Sequence, residues 1–429
     1  MNSEASSQQT ELSRTRFSFI MLAAYFLSQA YLIPIAALGP SWAVWPRFAD
    51  LAFFGMFTAV ALGSRSGAAF SAAQAALLRS LLLVYALCCI SYGVMVVVRG
   101  EKMAVLDGLQ GLARLTQFFL LYWFVSQIPL NAARLRILGF TIDFALGVVC
   151  LSVALTYFGI VPLRLLTAHL PQDPGVAGNW SMFARLDKFD DVHKGLGTVG
   201  YNHAYTAILI LLLLALRLHL LAGSRSLWAS VCVLVALGAT VLTESRAGLA
   251  AFLLFAAVFF LRNPKALLGG LVLALIVVAR MDWRKIESTL DRHKTIVSTV
   301  SDDNLSGRPL IWGNHLRSLR DHPLRVIIGG GFGSARVNGR GSDGHMLYLQ
   351  ILSEGGMLGL VLFLALALQV LISLYRYEGP GRPIFWVTLA LLLSSFTQET
   401  FYPLPAMGHF LGLYLAALAL ALRRPYAEA

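Results

Sequence analysis

At Gly344-His345-Met346-Leu347-Tyr348 a polar stretch ends and a long apolar run begins. Upstream, residues 281–345 carry histidines, clustered arginines and the glycine-rich turn Gly329-Gly330-Gly331-Phe332-Gly333-Ser334. Downstream, the apolar run holds Glu354 and Gly355-Gly356-Met357-Leu358-Gly359. Runs of this kind recur along the chain. Hydrophobic residues make up 57% of the 429 positions and charged residues 13%, where a soluble domain carries roughly 25% charge. Mean hydropathy is +0.70. A water-soluble core cannot hide that much apolar surface, so the composition predicts an all-α polytopic membrane protein.

About twelve spans are expected, near 17–39, 48–64, 75–98, 105–127, 137–161, 199–221, 226–243, 247–262, 264–280, 346–374, 383–399 and 403–422. Each approaches the ~20 residues that a hydrocarbon layer demands. The fourth is interrupted by Asp107, Arg114 and Gln117. The first sixteen residues are polar, and the apolar run after Arg14 and Arg16 reads as a retained helix rather than a signal peptide. With the N-terminus inside, one set of short loops holds Arg14 and Arg16, Arg65, Arg134 and Arg136, Arg225, Arg262 and Lys265, Arg376 and Arg382, and Arg423 and Arg424. Every such loop is basic, which predicts that both termini are cytoplasmic.

The formal net charge of +12 is therefore read as topology and as affinity for anionic lipid or diphosphate, not as a nucleic-acid surface. Cys88, Cys89, Cys150 and Cys232 fall in apolar runs without metal-ligand spacing and read as small hydrophobes.

Residues 1–429 read as a single membrane domain, with two long polar segments on the far side at 162–198 and 281–345. The first is electrically neutral: Arg164, Arg185, Lys188 and Lys194 balance Asp173, Asp187, Asp190 and Asp191. From Arg280 to Gly344 there are eleven Lys and Arg against seven Asp and Glu, an excess that an anionic ligand or chance explains. Within it, Ser306-Gly307-Arg308-Pro309 predicts a turn entering a helix. Leu310, Trp312, His315, Leu316 and Leu319 give that helix an amphipathic pattern, suited to the membrane surface beneath a lipid head group.

His345 at a helix start is expected to stay neutral, because the helix dipole disfavours an imidazolium there. A neutral ring is able to act as general base toward a sugar hydroxyl; the bland reading is a structural histidine. Arg246, after Thr243-Glu244-Ser245 at the mouth between two spans, reads as a diphosphate clamp or as a partner of Glu244. Arg308 near a helix start reads as a second phosphate ligand, or as one arginine among many.

The Gly329–Ser334 turn lacks both G-x-G-x-x-G spacing and a P-loop Lys-Ser/Thr. It is read as a turn allowing close backbone approach, and a nucleotide site is rejected. Glu354 lies nine residues beyond His345, about 13 Å deeper and on the opposite helix face. It reads as a buried structural acid paired with an arginine. Gly355 and Gly359 read as a small-residue pair for helix packing. Arg114 and Asp143 read as buried charges with partners on other spans. No H-E-x-x-H, Cys-x-x-Cys or clustered carboxylates suggest a metal.

The large loop before a late helix, the run from His345 to Gly356-Met357-Leu358-Gly359, Ser245-Arg246 at a span mouth, and Gly307-Arg308 with Trp312 behind it resemble the O-antigen ligase family. That family belongs to a superfamily shared with O-antigen polymerases and pilin O-glycosylating enzymes. Met346 departs from the small polar residue usual after the histidine. The resemblance implies a GT-C-like fold and short interfacial helices in a large periplasmic loop. It implies an inner-membrane enzyme with its active site facing the periplasm. There it would move O-antigen from undecaprenyl diphosphate to lipid A–core oligosaccharide with inversion, without nucleotide, metal or other cofactor. On this resemblance His345 deprotonates the acceptor hydroxyl, Arg246 and Arg308 hold the departing diphosphate, and Glu354, Gly356 and Gly359 give structural support. The alternatives are a polymerase or protein O-oligosaccharyltransferase of the same superfamily, or a flippase or transporter for lipid-linked sugar.

Overall fold

A computed structural model describes residues 2–38, 45–61, 70–98, 100–170, 195–200, 202–221, 227–262, 287, 308–341, 343–378, 382–403 and 409–423. Among these residues the fold is all-helical. The helices are α1 (Asn2–Ser28), α2 (Phe48–Ala61), α3 (Ala72–Val98), α4 (Lys102–Gln127), α5 (Ala132–Tyr157) and α6 (Leu163–Leu166). A 3₁₀ turn at Gly197–Val199 precedes α7 (His203–Leu220), α8 (Leu227–Leu242) and α9 (Arg246–Arg262). After them come α10 (Arg308–Arg320), α11 (Pro323–Ile328), α12 (Ala335–Asn338), α13 (Leu347–Tyr377), α14 (Pro383–Ser394) and α15 (Phe410–Ala421).

Among the described residues, α3, α5, α7 and α13 are long and apolar enough to cross a membrane. Six shorter apolar segments accompany them, in α1, α2, α8, α9, α14 and α15. The span expected at 264–280 lies outside the described residues, as does most of the loop at 162–198 and the first part of 281–345.

Burial follows composition. Helix α7 is apolar on every side and is buried from Ala204 to Arg217, which makes it the centre of the bundle. It packs against α5, α8, α9 and α14. Helix α15 is likewise buried along its length and lies on α4, where Gly412 lets it approach Phe118 and Tyr25. Helices α3 and α13 bury few of their apolar side chains, as helices facing lipid do.

The charges that interrupt the fourth span all face other elements. Arg114 Nη1 lies 2.6 Å from Asp50 Oδ1 of α2, and Gln117 Nε2 donates to the same oxygen at 2.9 Å. His409 Nε2 also reaches that oxygen, at 2.9 Å. Asp107 pairs with Arg336 of α12 at 3.6 Å. Asp143 of α5 pairs with Arg217 of α7 at 2.5 Å. Both Arg114 and Asp143 therefore have partners on other helices, as charges inside a membrane require.

The first expected span ends early, at Ser28 rather than near 39, and the last two are shorter than expected. Helix α14 stops at Ser394 rather than near 399, and α15 begins at Phe410 rather than near 403. The sequence between is polar, Ser394-Ser395-Phe396-Thr397-Gln398-Glu399-Thr400, and leads to Pro403. Its hydroxyls fold back on the preceding turn: Ser395 Oγ donates to Leu391 O at 2.7 Å, and Thr397 Oγ1 to Ser394 O at 3.1 Å. Competition of this kind ends helices.

The glycine-rich turn is a close-approach device, as its sequence predicts. Gly330 N–H donates to Ser353 O at 2.8 Å and Gly331 N–H to Glu354 O at 2.9 Å. Helix α13 breaks at the same level: Gly356 has φ 62°, and its backbone lies against Ile327 and Gly329. The carbonyls freed by the break thus find donors in the turn.

The small-residue pairing of Gly355 and Gly359 is corrected. Among the described residues neither has another helix within 4 Å of an added Cβ, and Gly359 faces Ile351 of its own helix. Both instead line an apolar cavity of about 610 Å³ between α3 and α13. Phe332, Leu347, Tyr402 and Leu418 also line it.

The amphipathic helix also differs from expectation. Helix α10 turns Trp312, His315 and Leu319 toward the protein, with His315 and Leu319 buried and His315 Nδ1 3.0 Å from Ser353 Oγ. Leu310 and Leu316 point outward.

Candidate active site

His345 sits in the loop between α12 and α13 at φ 48°, a left-handed conformation that a β-substituted residue holds only when its surroundings enforce it. Three contacts do so. Trp312 Nε1 donates to Gly344 O at 3.0 Å. Gly344 N–H donates to Gln350 Oε1 at 2.7 Å. Leu347 N–H reaches Ser395 O at 2.9 Å and Gln398 O at 3.1 Å. Met346 is the N-cap and supplies no side-chain cap; the loop is braced instead by Gln350, through Gly344 N–H.

The clamp on Leu347 brings Glu399 under the histidine. His345 Nδ1 lies 3.4 Å from Glu399 Oε1, and that carboxylate is only 1% exposed. Its second oxygen accepts from Tyr205 Oη, in the first turn of α7, at 3.3 Å. Arg308 is the first residue of α10, close enough to Glu399, Arg246 and Tyr205 for their charges to act on it, and in turn acts on His345. Arg246 opens α9 after a turn in which Glu244 has φ 56°. Ser245 caps that helix, its Oγ accepting from Gly248 N–H at 3.0 Å. Both arginines therefore stand at helix starts, and they converge with the histidine at one end of the bundle.

The electrostatics correct one expectation. Contact with the Glu399 carboxylate, partly opposed by burial, raises His345 above its ordinary pKa of 6.5. An adjacent carboxylate outweighs the half-charge of a helix terminus, so the ring gains imidazolium character rather than losing it. Burial depresses Arg308, with Glu399 opposing and Arg246 adding to the depression. Asp343, two residues before the histidine, is pushed up to about 7 by burial and by Glu399, and its Oδ1 has no hydrogen-bond partner among the described residues.

Glu354 is buried at the far side of the same helix. Its Oε1 accepts from Ala335 N–H at 3.0 Å and its Oε2 from Tyr402 Oη. The expected arginine partner is thus replaced by a backbone amide and a phenol. Gly356 supports the helix break, and Gly359 does not take part in it. Among the described residues no group of three or more His, Cys, Asp or Glu side chains has the arrangement of a metal site.

Glu399 and Tyr205 escaped the sequence reading. Tyr205 is hidden in an apolar run. Glu399 left a faint signal, as a lone carboxylate among polar residues at the rim of a span, where a charge requires a partner.

What emerges is a multi-pass helical membrane protein with two guanidiniums, an imidazole and a buried carboxylate gathered at one end of its bundle. Residues 231–364, about a third of the chain, match the family model of O-antigen ligase. The resemblance read from the motifs is thus shown, to a family of glycosyltransferase-like enzymes of lipopolysaccharide assembly. The matched segment includes Arg246, Arg308, His345, Glu354, Gly356 and Gly359, while Tyr205 and Glu399 lie outside it. Comparison with curated proteins gives no match.

Proposed function

We propose that the protein is an O-antigen ligase of the bacterial inner membrane, with both termini cytoplasmic, about twelve spans and its site facing the periplasm. It transfers O-antigen glycan from undecaprenyl diphosphate to lipid A–core oligosaccharide, with inversion and without a metal. The observation that carries this reading is the convergence of Arg246 and Arg308 with His345 over Glu399. Two guanidiniums held close together repel each other, and an anion between them relieves that repulsion. A diphosphate matches their paired donors.

In the proposed reaction the acceptor hydroxyl oxygen attacks the anomeric carbon of the donor sugar. The bond from that carbon to the diphosphate oxygen breaks, and the electron pair leaves with undecaprenyl diphosphate. His345 presents Nδ1 to Glu399, which leaves Nε2 to accept the hydroxyl proton. Glu399, braced by Tyr205, fixes the ring and steadies the imidazolium that forms. Arg246 and Arg308 take up the charge that develops on the leaving diphosphate. The apolar cavity beside α13 suits an isoprenoid tail.

Purified protein supplied with undecaprenyl-diphosphate-linked glycan and lipid A–core should yield glycosylated lipid A–core and free undecaprenyl diphosphate. No product under conditions where the protein remains folded overturns the reading. The polymerase alternative predicts longer glycan on the carrier instead, and a protein O-oligosaccharyltransferase predicts glycan on a pilin Ser or Thr. In a deletion strain, a ligase defect leaves long chains on the carrier and a polymerase defect leaves single repeats.

A further inference from the structure

Asp343 stands two residues before His345, and the transfer step as written makes no use of it. The backbone beside it is fixed. Gly344 O accepts from Trp312 Nε1 at 3.0 Å, and Gly344 N–H donates to Gln350 Oε1 at 2.7 Å. The carboxyl has no such support. Asp343 is half-buried, and its Oδ1 is closed off from solvent with no hydrogen-bond partner among the described residues. Buried polar atoms in folded proteins nearly all have partners, so an orphaned oxygen beside a reactive ring marks a place where something binds. The neighbouring His345 side chain is 45% exposed, which leaves the approach open.

The surrounding charges narrow the choice of ligand. Burial pushes Asp343 up to about 7; Glu399, between α14 and α15, and Asp107 of α4 add to this, while Arg336 of α12 and His345 oppose it. Near neutral pH the carboxyl is therefore able both to donate and to accept. A diphosphate would be repelled by three acidic groups. A metal ion would meet the Arg336 guanidinium, and the described residues hold no cluster of metal-ligating side chains. A sugar hydroxyl is neutral, and it too donates and accepts. Asp107, paired with Arg336 at 3.6 Å, keeps its Oδ2 without a partner among the described residues, a second acceptor in the same neighbourhood.

The two substrates divide along the same lines. Arg246 and Arg308 suit the donor's diphosphate, and inversion brings the acceptor in from the face opposite the leaving group. The acidic flank of His345 is then the acceptor's. Two residues of chain span at most about 7 Å, so a sugar that gives its proton to His345 has its adjacent hydroxyls within reach of Asp343.

We propose that Asp343 orients and selects the acceptor: its carboxyl hydrogen-bonds a hydroxyl next to the one that His345 deprotonates, so the acceptor is a sugar with two adjacent free hydroxyls. This rests on glycosyl transfer with His345 as base.

Steady-state transfer tests it, with undecaprenyl-diphosphate-linked glycan and lipid A–core varied in turn. Asp343→Ala should raise KM for lipid A–core about tenfold, as loss of a hydrogen bond to a charged group does, and leave KM for the donor at the wild-type value. Asp343→Asn, which still donates and accepts, should restore most of the acceptor KM. The Tm of Asp343→Ala should not fall, because a carboxyl without partners does not hold the fold together. A wild-type acceptor KM in Asp343→Ala, an equal rise for both substrates, no rescue by Asn, or a Tm lowered by several degrees overturns the proposal and leaves glycosyl transfer standing. No transfer by the wild-type protein overturns both.

Discussion

The imidazole of His345 and the carboxylate of Glu399 face each other at 3.4 Å, joined by no local sequence relationship. The backbone hydrogen bonds from Leu347 to Ser395 and Gln398 create the pairing. The carboxylate raises the histidine above 6.5, so the base form of the ring grows only as pH climbs through that raised value. The acidic limb of the transfer rate should therefore lie above pH 6.5. Glu399→Gln should move it downward and lower the plateau, and a pH profile of kcat/KM reads both. An unmoved limb in the variant removes Glu399 as the cause. Because the folded-state value is the higher one, the stabilisation from this pair is complete below pH 6.5 and fades as pH rises through the folded value.

Arg308→Lys keeps the charge and loses the fork. A point charge cannot donate to two phosphate oxygens in one plane, so the variant should lose roughly a hundredfold in kcat, the size of effect seen when one donor to a developing anion is removed. Substrate-dependent transfer by purified protein measures this, with the wild-type Tm as the control for folding. Arg308→Lys at full rate removes the bidentate role.

Glu354→Ala should act on the fold. It strips partners from Ala335 N–H and Tyr402 Oη, both in buried surroundings. An orphaned buried donor costs about 1–3 kcal/mol, so a clear drop in Tm is expected. Glu354→Gln, which keeps an acceptor for one of the two, should lose less. Equal losses in both variants contradict this account of the carboxylate.

The sequence made the membrane class plain, since apolar runs of span length are a one-dimensional property. It also displayed Arg246, Arg308 and His345, because charges at the ends of such runs are conspicuous. It did not disclose Glu399 or Tyr205 as their neighbours. That relationship depends on where α14 ends, and a five-residue shortening of the expected span turned a presumed helical carboxylate into a loop residue beneath the histidine. The sign of the histidine's shift went with it: reasoning from the helix dipole alone lacked the nearest charge. Glu354 was legible as buried, but its partners come from a backbone amide and a phenol that no charge pattern marks.

The Gly356-Met357-Leu358-Gly359 run separates two glycines that look alike in sequence. At Gly356, φ is 62°, and a Cβ would lie 2.3 Å from Ile327 O and 2.5 Å from Gly329 N, both backbone atoms that side-chain motion cannot clear. Strain and overpacking each cost about 1–3 kcal/mol, so Gly356→Ala should lower Tm sharply and reduce the yield of folded protein. At Gly359 the nearest atoms to an added Cβ are 3.7 Å away, on Ile351. Gly359→Ala should leave Tm close to wild type, because ordinary van der Waals contact costs nothing and Ala favours a helix over Gly by about 1 kcal/mol. Thermal unfolding of the two variants in one detergent decides the matter. Equal sensitivity at both positions means that the break at Gly356 is not what the helix needs there, and that close packing of the whole run governs it instead.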